Sequence, residues 1–308
     1  CDVFLMNMRP DVAGRLGVDY ESVSKVNPNI VYVAVTGWGQ SGPMRDLPGA
    51  DGQIQHYTGF GSVNGPEGSE QGEIYRHFTQ MDATTGNYAC QAILMGLLAR
   101  KRTGKGQRVD VSMLKAISSL QSGRLAEHLS SGQDPQPLGS KAQAVAPSQA
   151  YLCHDQRYLG VEATNEAEWR GLTQAIGKPE LADDARFATN SDRVAHRNEL
   201  SAILEPIFGG MPLDYWTMEL GKVGVPCARP MRWDELKYHP QVTENGYLVN
   251  IETKSWGTVK TGGPPWHFEK TPARWFRPSE YGEHSAEIMA QVRAELASGQ
   301  QTAAARNQ

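Results

Sequence analysis

Residues 29–42 read NIVYVAVTGWGQSG, and this stretch decides the fold class. Residues 29–36 predict a β-strand because they are β-branched or aromatic and lie between Asn27-Pro28 and a Gly-Trp-Gly turn. The run is apolar at successive positions, so both of its faces are expected to be buried. A strand buried on both faces is typical of a parallel sheet covered by helices.

The segments on either side of this strand alternate between strand and helix patterns. The predicted strands cover residues 1–6 and 108–113, and the predicted helices cover 12–17, 20–26, a long run from Asp82 to about residue 102, and 114–130. This alternation predicts an α/β fold with an open, mainly parallel, Rossmann-like sheet that carries helices on both faces. A smaller α+β domain is expected to follow it.

The domain boundaries are predicted from composition. Residues 131–149 are rich in Pro, Gly, Ser and Gln, which is typical of a linker. A hairpin pattern at 151–161 and helical patterns over 164–176, 191–207 and 212–222 follow it. We therefore expect a large domain over 1–135, a small domain over 140–236, and a C-terminal segment over 237–308 that returns toward the large domain.

The composition indicates a soluble globular protein. Hydrophobic residues make up 39%, charged residues 21%, and the net charge is −4, so neither disorder nor a nucleic-acid partner is expected. The four cysteines form no CxxC pair, and Cys90 is expected to act as a small buried hydrophobe. The longest apolar stretch, 89–99, is too short to cross a bilayer. These features predict a cytoplasmic location and no membrane partner.

The sequence GWGQSG (37–42) formally matches the dinucleotide-binding pattern GxGxxG after a strand. Pro43 follows it at once, and MRDLPGAD does not have the apolar start of a helix. We therefore interpret this segment as a loop that lets the backbone approach a ligand. A nicotinamide-dependent oxidoreductase stays a distant alternative.

Asp82 stands at the start of the long apolar helix in QMDATTGNYACQAILMGLLARKRTGKGQ (80–107). Its default role is to cap the helix, because Asp and Thr are favoured N-caps and Asp82, Thr84 and Thr85 all qualify. The alternative role is chemical. The helix dipole favours negative charge on this carboxylate and on an oxyanion beside it, and an ionised Asp can act as a nucleophile without a partner base.

Several long segments, in order, resemble the class III CoA-transferases, the family of formyl-CoA transferase and carnitine CoA-transferase. The most specific segment is QMDATTGNYACQAILMGLLARKRTGKGQRVDVSM (80–113), and CDVFLMNMRP (1–10) and the strand with its Gly-rich turn resemble the family as well. The similarity covers nearly the whole chain. It also implies that the opening βα units of the family are absent, so that an N-terminal segment is expected to be missing.

The resemblance implies a mechanism and a set of site residues. The nucleophilic aspartate of the family falls on Asp82, which would carry CoA as a covalent aspartyl intermediate between two carboxylic acids. Coenzyme A, as acyl-CoA, is thus implied as a substrate, and no permanent cofactor or metal is implied. The implied CoA-binding positions lie in the large domain and are Asn7, Met8, Arg9, Arg15, Pro48, Gly49, Ala50 and Asp51.

Two departures from the family pattern affect the interpretation. Met8 stands where an aromatic residue is usual, which removes stacking on adenine but keeps an apolar contact. Ala50 stands where the α-methylacyl-CoA racemase branch has a catalytic His, which favours transfer over racemisation. An acyl-CoA racemase of the same fold and a non-catalytic CoA-binding homologue both stay open as alternatives.

The resemblance also implies partners. Acyl-CoA and small carboxylic acids are the expected substrates, and an interlocked homodimer is the expected assembly. Specificity for the acceptor acid is predicted to lie in loops 59–75 and 131–149. Trp38, Tyr57 and Phe60 either line that pocket or belong to the ordinary core.

Overall fold

The strand predicted from NIVYVAVT lies at the centre of a three-stranded parallel sheet. The sheet order is β1 (Val3–Met6), β2 (Val31–Thr36) and β3 (Gln107–Ser112). The structure is a computed structural model that describes residues 1–69, 72–74, 78–274 and 276–306, with side chains described as far as residue 297. The predicted α/β class and the open parallel sheet are confirmed.

Helices cover both faces of this sheet. They are α1 (Pro10–Leu16), α2 (Tyr20–Val26), α3 (Asp51–Tyr57), α4 (Gln80–Thr103), α5 (Met113–Leu120) and α6 (Ser122–Ser131). On one face, Tyr32 and Ala34 of β2 pack with residues of α1 and α2. On the other face, Val31 and Val33 pack against α4. Alternate side chains of β2 are thus buried in two separate clusters, which explains its continuous apolar sequence.

The long helices differ in two ways from the prediction. The helix predicted over 114–130 is divided at Gln121 into α5 and α6. Helix α4 is half exposed rather than buried, because it presents one face to the sheet, where Gly96 lies against Val31. The expectation that Cys90 is buried was wrong, since this cysteine is exposed. The apolar side chains that α4 leaves exposed are Leu94, Met95 and Leu98.

The region predicted to form the small domain is built on a three-stranded antiparallel sheet. Its strands are β4 (Ser148–Leu152), β5 (Tyr158–Glu162) and β6 (Cys227–Ala228), and the predicted hairpin is confirmed by the β4–β5 pairing. Its helices are α7 (Glu166–Ala175), α8 (Asn190–Ala195), α9 (Arg197–Phe208) and α10 (Leu213–Lys222). The helix predicted over 191–207 is therefore two helices, which meet at His196.

A buried arginine joins helices α7 and α8 to the segment before β4. Arg193 is fully buried and donates to both carboxylate oxygens of Glu166 at 3.0 Å. It also donates to the carbonyl oxygens of Ala146 and Phe187, and its guanidinium lies 5.0 Å from the ring centroid of Trp169. A buried charge with this many partners is satisfied and holds three segments in one geometry.

Residues 230–308 form a second compact unit, separate from 1–229. Its elements are α11 (Trp233–Leu236), α12 (Pro240–Glu244), β7 (Leu248–Thr253), β8 (Gly257–Gly262) and α13 (Ser285–Arg306). The boundaries predicted near residues 135–140 and 236–237, and the return of the C-terminal segment, stay predictions. Within the described ranges, every helix is too short or too polar to cross a bilayer.

Gly106 is expected to be required for the start of β3. A Cβ added at this position would lie 2.3 Å from the carbonyl oxygen of Ile30, which accepts a hydrogen bond from the next residue, Gln107. We expect Gly106→Ala to destabilise the protein by about 1–3 kcal/mol, the usual range for overpacking. Urea denaturation measures this, with Gly123→Ala as the matched control because its Cβ would meet nothing within 4 Å. Equal stabilities of the two variants would contradict the close approach.

Candidate active site

A cavity of about 590 Å³ opens at the carboxyl end of the parallel sheet. Ligands of open α/β sheets characteristically bind at this end, where the strands stop and the loops begin. Strands β1 and β2 end in the cavity, and the N-terminal half of α4 forms another wall. The lining residues are Leu5, Met6, Asn7, Val35, Thr36, Gly37, Gly49, Asp82, Thr85, Gly86, Ala89, Cys90, Ile93 and Met113.

Asp82 lies in the first turn of α4, but another residue caps this helix. One carboxylate oxygen of Asp51, Oδ2, accepts hydrogen bonds from the backbone N–H of Met81 at 2.7 Å and of Asp82 at 3.3 Å. Thr79, at the N-cap position, makes no side-chain capping bond. The default assignment of Asp82 as the cap was therefore wrong, because Asp51 supplies the acceptor from a distant point in the sequence.

Asp51 is itself held in place by its own helix. Its other oxygen, Oδ1, accepts from the side-chain amide of Gln55, one turn later in α3, at 2.6 Å. Gln55 is fully buried, and Asp51 is half-buried at the first position of α3. The Asp51 carboxylate thus uses both oxygens to join the N-termini of α3 and α4.

Two glycines bring the loop after β2 back against the start of α3. A Cβ on Gly37 would lie 2.8 Å from the Cα of Gly49, and a Cβ on Gly49 would lie 2.7 Å from the Cα of Gly37. The indole N–H of Trp38 donates to the carbonyl oxygen of Pro48 at 3.1 Å. This contact between the backbones sets the position of Asp51, two residues beyond Gly49.

The electrostatic environment of Asp82 disfavours its ionised form. Partial burial raises the pKa of this carboxyl group above its usual range, and the negative charge of Asp51 raises the pKa further. Among the described residues, none donates a hydrogen bond to the Asp82 carboxylate. An aspartate in such surroundings is a better nucleophile than a fully paired one, because fewer interactions must be lost when it attacks.

The backbone N–H groups at the N-terminus of α4 already have acceptors. The N–H groups of Met81 and Asp82 donate to Asp51, that of Gln80 to the carbonyl of Phe78, and that of Ala83 to the carbonyl of Thr79. These four N–H groups are therefore already paired and do not donate to an oxyanion beside Asp82. The long-range dipole of the helix remains.

The structure brings together three of the residues predicted for the site. Asn7, Gly49 and Asp82 line the same cavity, although they come from the end of β1, the loop before α3 and the start of α4. The other predicted CoA-binding residues are absent from its described lining and are Met8, Arg9, Arg15, Pro48, Ala50 and Asp51. Among them, Asp51 has a structural role in the cap, and the roles of the remaining five stay predictions.

The two predicted CoA-binding arginines lie on the exposed side of α1. Arg9, just before α1, donates to the carbonyl oxygen of Asp46 at 3.0 Å and so joins the 7–9 loop to the 37–50 loop. Arg15 is highly exposed, and its guanidinium lies 3.6 Å from the carboxylate of Asp11. Both contacts are exposed to solvent, so both guanidinium groups are accessible to an incoming phosphate.

The structure decides between some of the alternative roles predicted for residues 37–42, Trp38 and Phe60. Residues 37–50 contain no helix, so GWGQSG lacks the helix start that a dinucleotide site requires. Trp38 and Phe60 pack against a buried cluster that includes Ile54 and Met81, and they belong to the core. The acceptor specificity predicted for 59–75 and 131–149 stays a prediction, and residues 70, 71 and 75 lie outside the described ranges.

Sequence reasoning missed most of the cavity lining. The sequence did offer one signal, which is the position of the carboxyl ends of the three predicted strands. The lining residues at or next to these ends are Leu5, Thr36 and Met113. The contributions of Thr85, Gly86 and Cys90 depend on which face of α4 turns toward the cavity. In the described part of the chain, no group of three His, Cys, Asp or Glu side chains has the geometry of a metal site.

Residues 1–285 match the family described as CoA-transferase family III. The chain belongs to this family. Among curated family members, it is 32% identical to the succinate–glutarate CoA-transferase of Agrobacterium fabrum, covering 94% of this chain and 72% of the relative. It is 29% identical to the human succinyl-CoA:glutarate CoA-transferase, covering 95% of this chain and 66% of the relative. The chain thus spans about two thirds of the length of these relatives.

Solved structures show the same fold. A CAIB/BAIF family protein from Brucella suis superposes with a TM-score of 0.80 at 31% identity, covering 94% of this chain and 75% of that protein. Rv3272 from Mycobacterium tuberculosis gives a TM-score of 0.81 at 27% identity, covering 93% of this chain and 76% of that protein. The resemblance to class III CoA-transferases is confirmed at the level of family and fold.

The capping role of Asp51 predicts a measurable loss of stability. We expect Asp51→Ala to destabilise the protein by about 1–2 kcal/mol, the range for a lost N-cap. Asp51→Asn should lose less, because its side-chain oxygen still accepts a hydrogen bond. Urea denaturation measures both, with Asp183→Ala as the control because Asp183 is an exposed carboxylate paired with Arg170. A loss no greater than that of the control would argue against the cap.

The raised pKa of Asp82 predicts that this residue lowers stability at neutral pH. A folded state with a raised carboxyl pKa binds the proton more tightly than the unfolded chain, so stability is lost as pH rises through that pKa. Asp82→Asn removes this penalty, and its melting temperature should exceed that of the wild type at pH 7. The difference should shrink as pH falls toward the ordinary aspartate value of about 3.9. A lower melting temperature of the variant at pH 7 would contradict the assignment.

Proposed function

We propose that this chain transfers CoA from an acyl-CoA to a carboxylic acid through a covalent intermediate on Asp82. The observation that carries the proposal is the division of roles between two aspartates. Asp51 caps α4, which leaves the Asp82 carboxylate directed at the cavity without a hydrogen-bond partner among the described residues. Membership of CoA-transferase family III supports the reaction class.

The reaction begins when the Asp82 carboxylate attacks the thioester carbonyl of the donor. The C–S bond breaks, giving a mixed anhydride between Asp82 and the acyl group and releasing CoA as a thiolate. The thiolate then attacks the carbonyl carbon of Asp82, and the C–O bond breaks. The first acid leaves as a carboxylate, and Asp82 carries CoA as a thioester.

The acceptor repeats these steps in the opposite direction. Its carboxylate attacks the aspartyl thioester and releases the CoA thiolate, forming a second anhydride. The thiolate attacks the acceptor carbonyl, which yields the new acyl-CoA and restores the Asp82 carboxylate. The thioester energy is conserved because no step transfers the acyl group to water.

The surrounding residues are proposed to bind the CoA portion. Asn7 and Gly49 line the cavity beside Asp82, whereas Met8, Pro48 and Ala50 are exposed on the two adjoining loops. Arg9 and Arg15 are proposed to contact the phosphates, because both guanidinium groups are accessible at the exposed side of α1. Asp51 is proposed to support this region through the α4 cap.

The residue at position 50 favours transfer over racemisation. Racemisation at the α-carbon needs an acid and a base on opposite sides of the substrate. Ala50 precedes α3 and has no titratable group, and the side chain of Asp51 is committed to the cap. Acyl-CoA and small carboxylic acids are therefore the proposed substrates. We further propose a cytoplasmic, interlocked homodimer, in keeping with the family resemblance and the absence of a CxxC pair.

Trapping of the intermediate tests the mechanism. The protein is incubated with a panel of acyl-CoA thioesters and then treated with borohydride, which reduces an aspartyl thioester to the alcohol. Peptide mass spectrometry should locate the reduced side chain at Asp82. The modification and the transfer activity should both be lost in Asp82→Asn, with Asp183→Asn as the matched control.

The outcomes separate the proposed function from its alternatives. Exchange of the α-hydrogen in heavy water without transfer would support a racemase instead. Binding of CoA without an adduct or turnover, unchanged in Asp82→Asn, would identify a non-catalytic homologue. An adduct on another residue would move the nucleophile away from Asp82.

A further inference from the structure

Gly86 is a glycine inside α4 that no packing contact requires. A Cβ added to it would meet nothing within 4 Å, and its φ lies outside the left-handed region. By contrast, a Cβ on Gly96 of the same helix would lie 2.7 Å from Cγ1 of Val31. Glycine in a helix interior is less favourable than alanine, so Gly86 lowers helix stability without a compensating contact among the described residues.

The position of Gly86 points to the active site. It is four residues after Asp82, so it lies on the same face of the helix, one turn away from the carboxylate. It lines the same cavity as Asp82, and so does Cys90, one further turn along α4. The empty space next to Gly86 is therefore part of the cavity that the Asp82 carboxylate also lines.

The walls beside Gly86 are apolar. Ala89 and Ile93 line the cavity from α4, and Leu5 and Val35 line it from β1 and β2. Asp82 is the one charged residue among the described lining residues. This part of the cavity therefore has no cation that could pair with a carboxylate at the far end of an acyl chain. The phosphates of CoA are expected instead at the exposed arginines of α1.

We propose that the acyl chain of the donor lies over Gly86 and extends along α4 toward Cys90, and that the site takes aliphatic acyl groups. This inference rests on the proposed function, because it assumes that the thioester carbonyl meets Asp82. Gly86 is then a specificity-determining residue, since a side chain at this position occupies the space of the acyl chain. The segment from Gly86 to Ile93 is called the acyl groove below.

Binding of unreactive thioethers tests the acyl groove without any need for turnover. The probes are CoA, S-methyl-CoA and S-octyl-CoA, and their affinities are measured by calorimetry for the wild type and for Gly86→Leu. The variant should bind S-octyl-CoA at least tenfold more weakly, while its affinity for CoA changes less than twofold. Gly221→Leu is the matched control, because that helical glycine is also open and lies in α10.

The melting temperatures of the Gly86 variants show whether a loss of S-octyl-CoA binding reflects the acyl groove or a loss of folding. Gly86→Ala and Gly86→Leu should both raise the melting temperature or leave it unchanged, because a Cβ at this position meets no described atom within 4 Å and both residues favour a helix more than glycine does. A folded variant with selective loss of S-octyl-CoA binding supports the proposal. A variant with lower melting temperature would show that the volume above Gly86 is needed for folding, which overturns the proposal.

The exposed thiol of Cys90 provides an independent readout. S-octyl-CoA should slow alkylation of Cys90 by iodoacetamide in the wild type, and CoA should not. Cys1 is the internal control, because it is also exposed but precedes β1 and lies at the opposite end of the sheet. Peptide mass spectrometry gives both rates in the same sample.

The outcomes distinguish this inference from the proposed transfer. Equal weakening of CoA and both thioethers by Gly86→Leu would place the pantetheine arm over Gly86 and overturn the acyl groove, while leaving the transfer mechanism intact. Failure of the wild type to bind any thioether would overturn it as well. Protection of Cys90 that depends on chain length, in a protein that never transfers CoA, would support the acyl groove and reject the proposed function.

Discussion

The position of the candidate nucleophile depends on the carboxylate of Asp51. Its two oxygens join the N-termini of α3 and α4, and a buried amide on Gln55 orients it. The close backbone contact between Gly37 and Gly49 fixes the loop that carries Asp51. Because β2 leads directly into Gly37, the site is built outward from the central strand through one capping interaction.

Two features in successive turns of α4 lower stability. The carboxyl group of Asp82 is partly desolvated close to another carboxylate, and Gly86 is an interior helix residue at which a Cβ would meet no described atom within 4 Å. Among the described residues, neither feature makes a contact that offsets its cost. Both become understandable if the first turns of α4 bind and react with a substrate, because proteins retain such locally unfavourable groups mainly at functional sites.

Asp51 also illustrates a limit of reading the sequence locally. An Asp at the start of a helix usually caps that same helix, and this rule assigned Asp82 to the capping role. The rule failed because a carboxylate 31 positions earlier in the chain reaches the same N–H groups. A cap supplied from another helix leaves no pattern in the nearby sequence. The half-exposed state of α4 was missed for a similar reason, since its apolar run is continuous around the helix.

The sequence by itself determined the fold class, the family and the identity of the candidate nucleophile. The strand NIVYVAVT is apolar on both faces, and long segments around Asp82 match one family, so these conclusions depend on local pattern alone. Only the tertiary structure decided which residues meet in the cavity and which aspartate side chain accepts no hydrogen bond from the described residues. The physical reason is that these properties arise from contacts between β1, β2, α3 and α4, whose relative placement is set by packing.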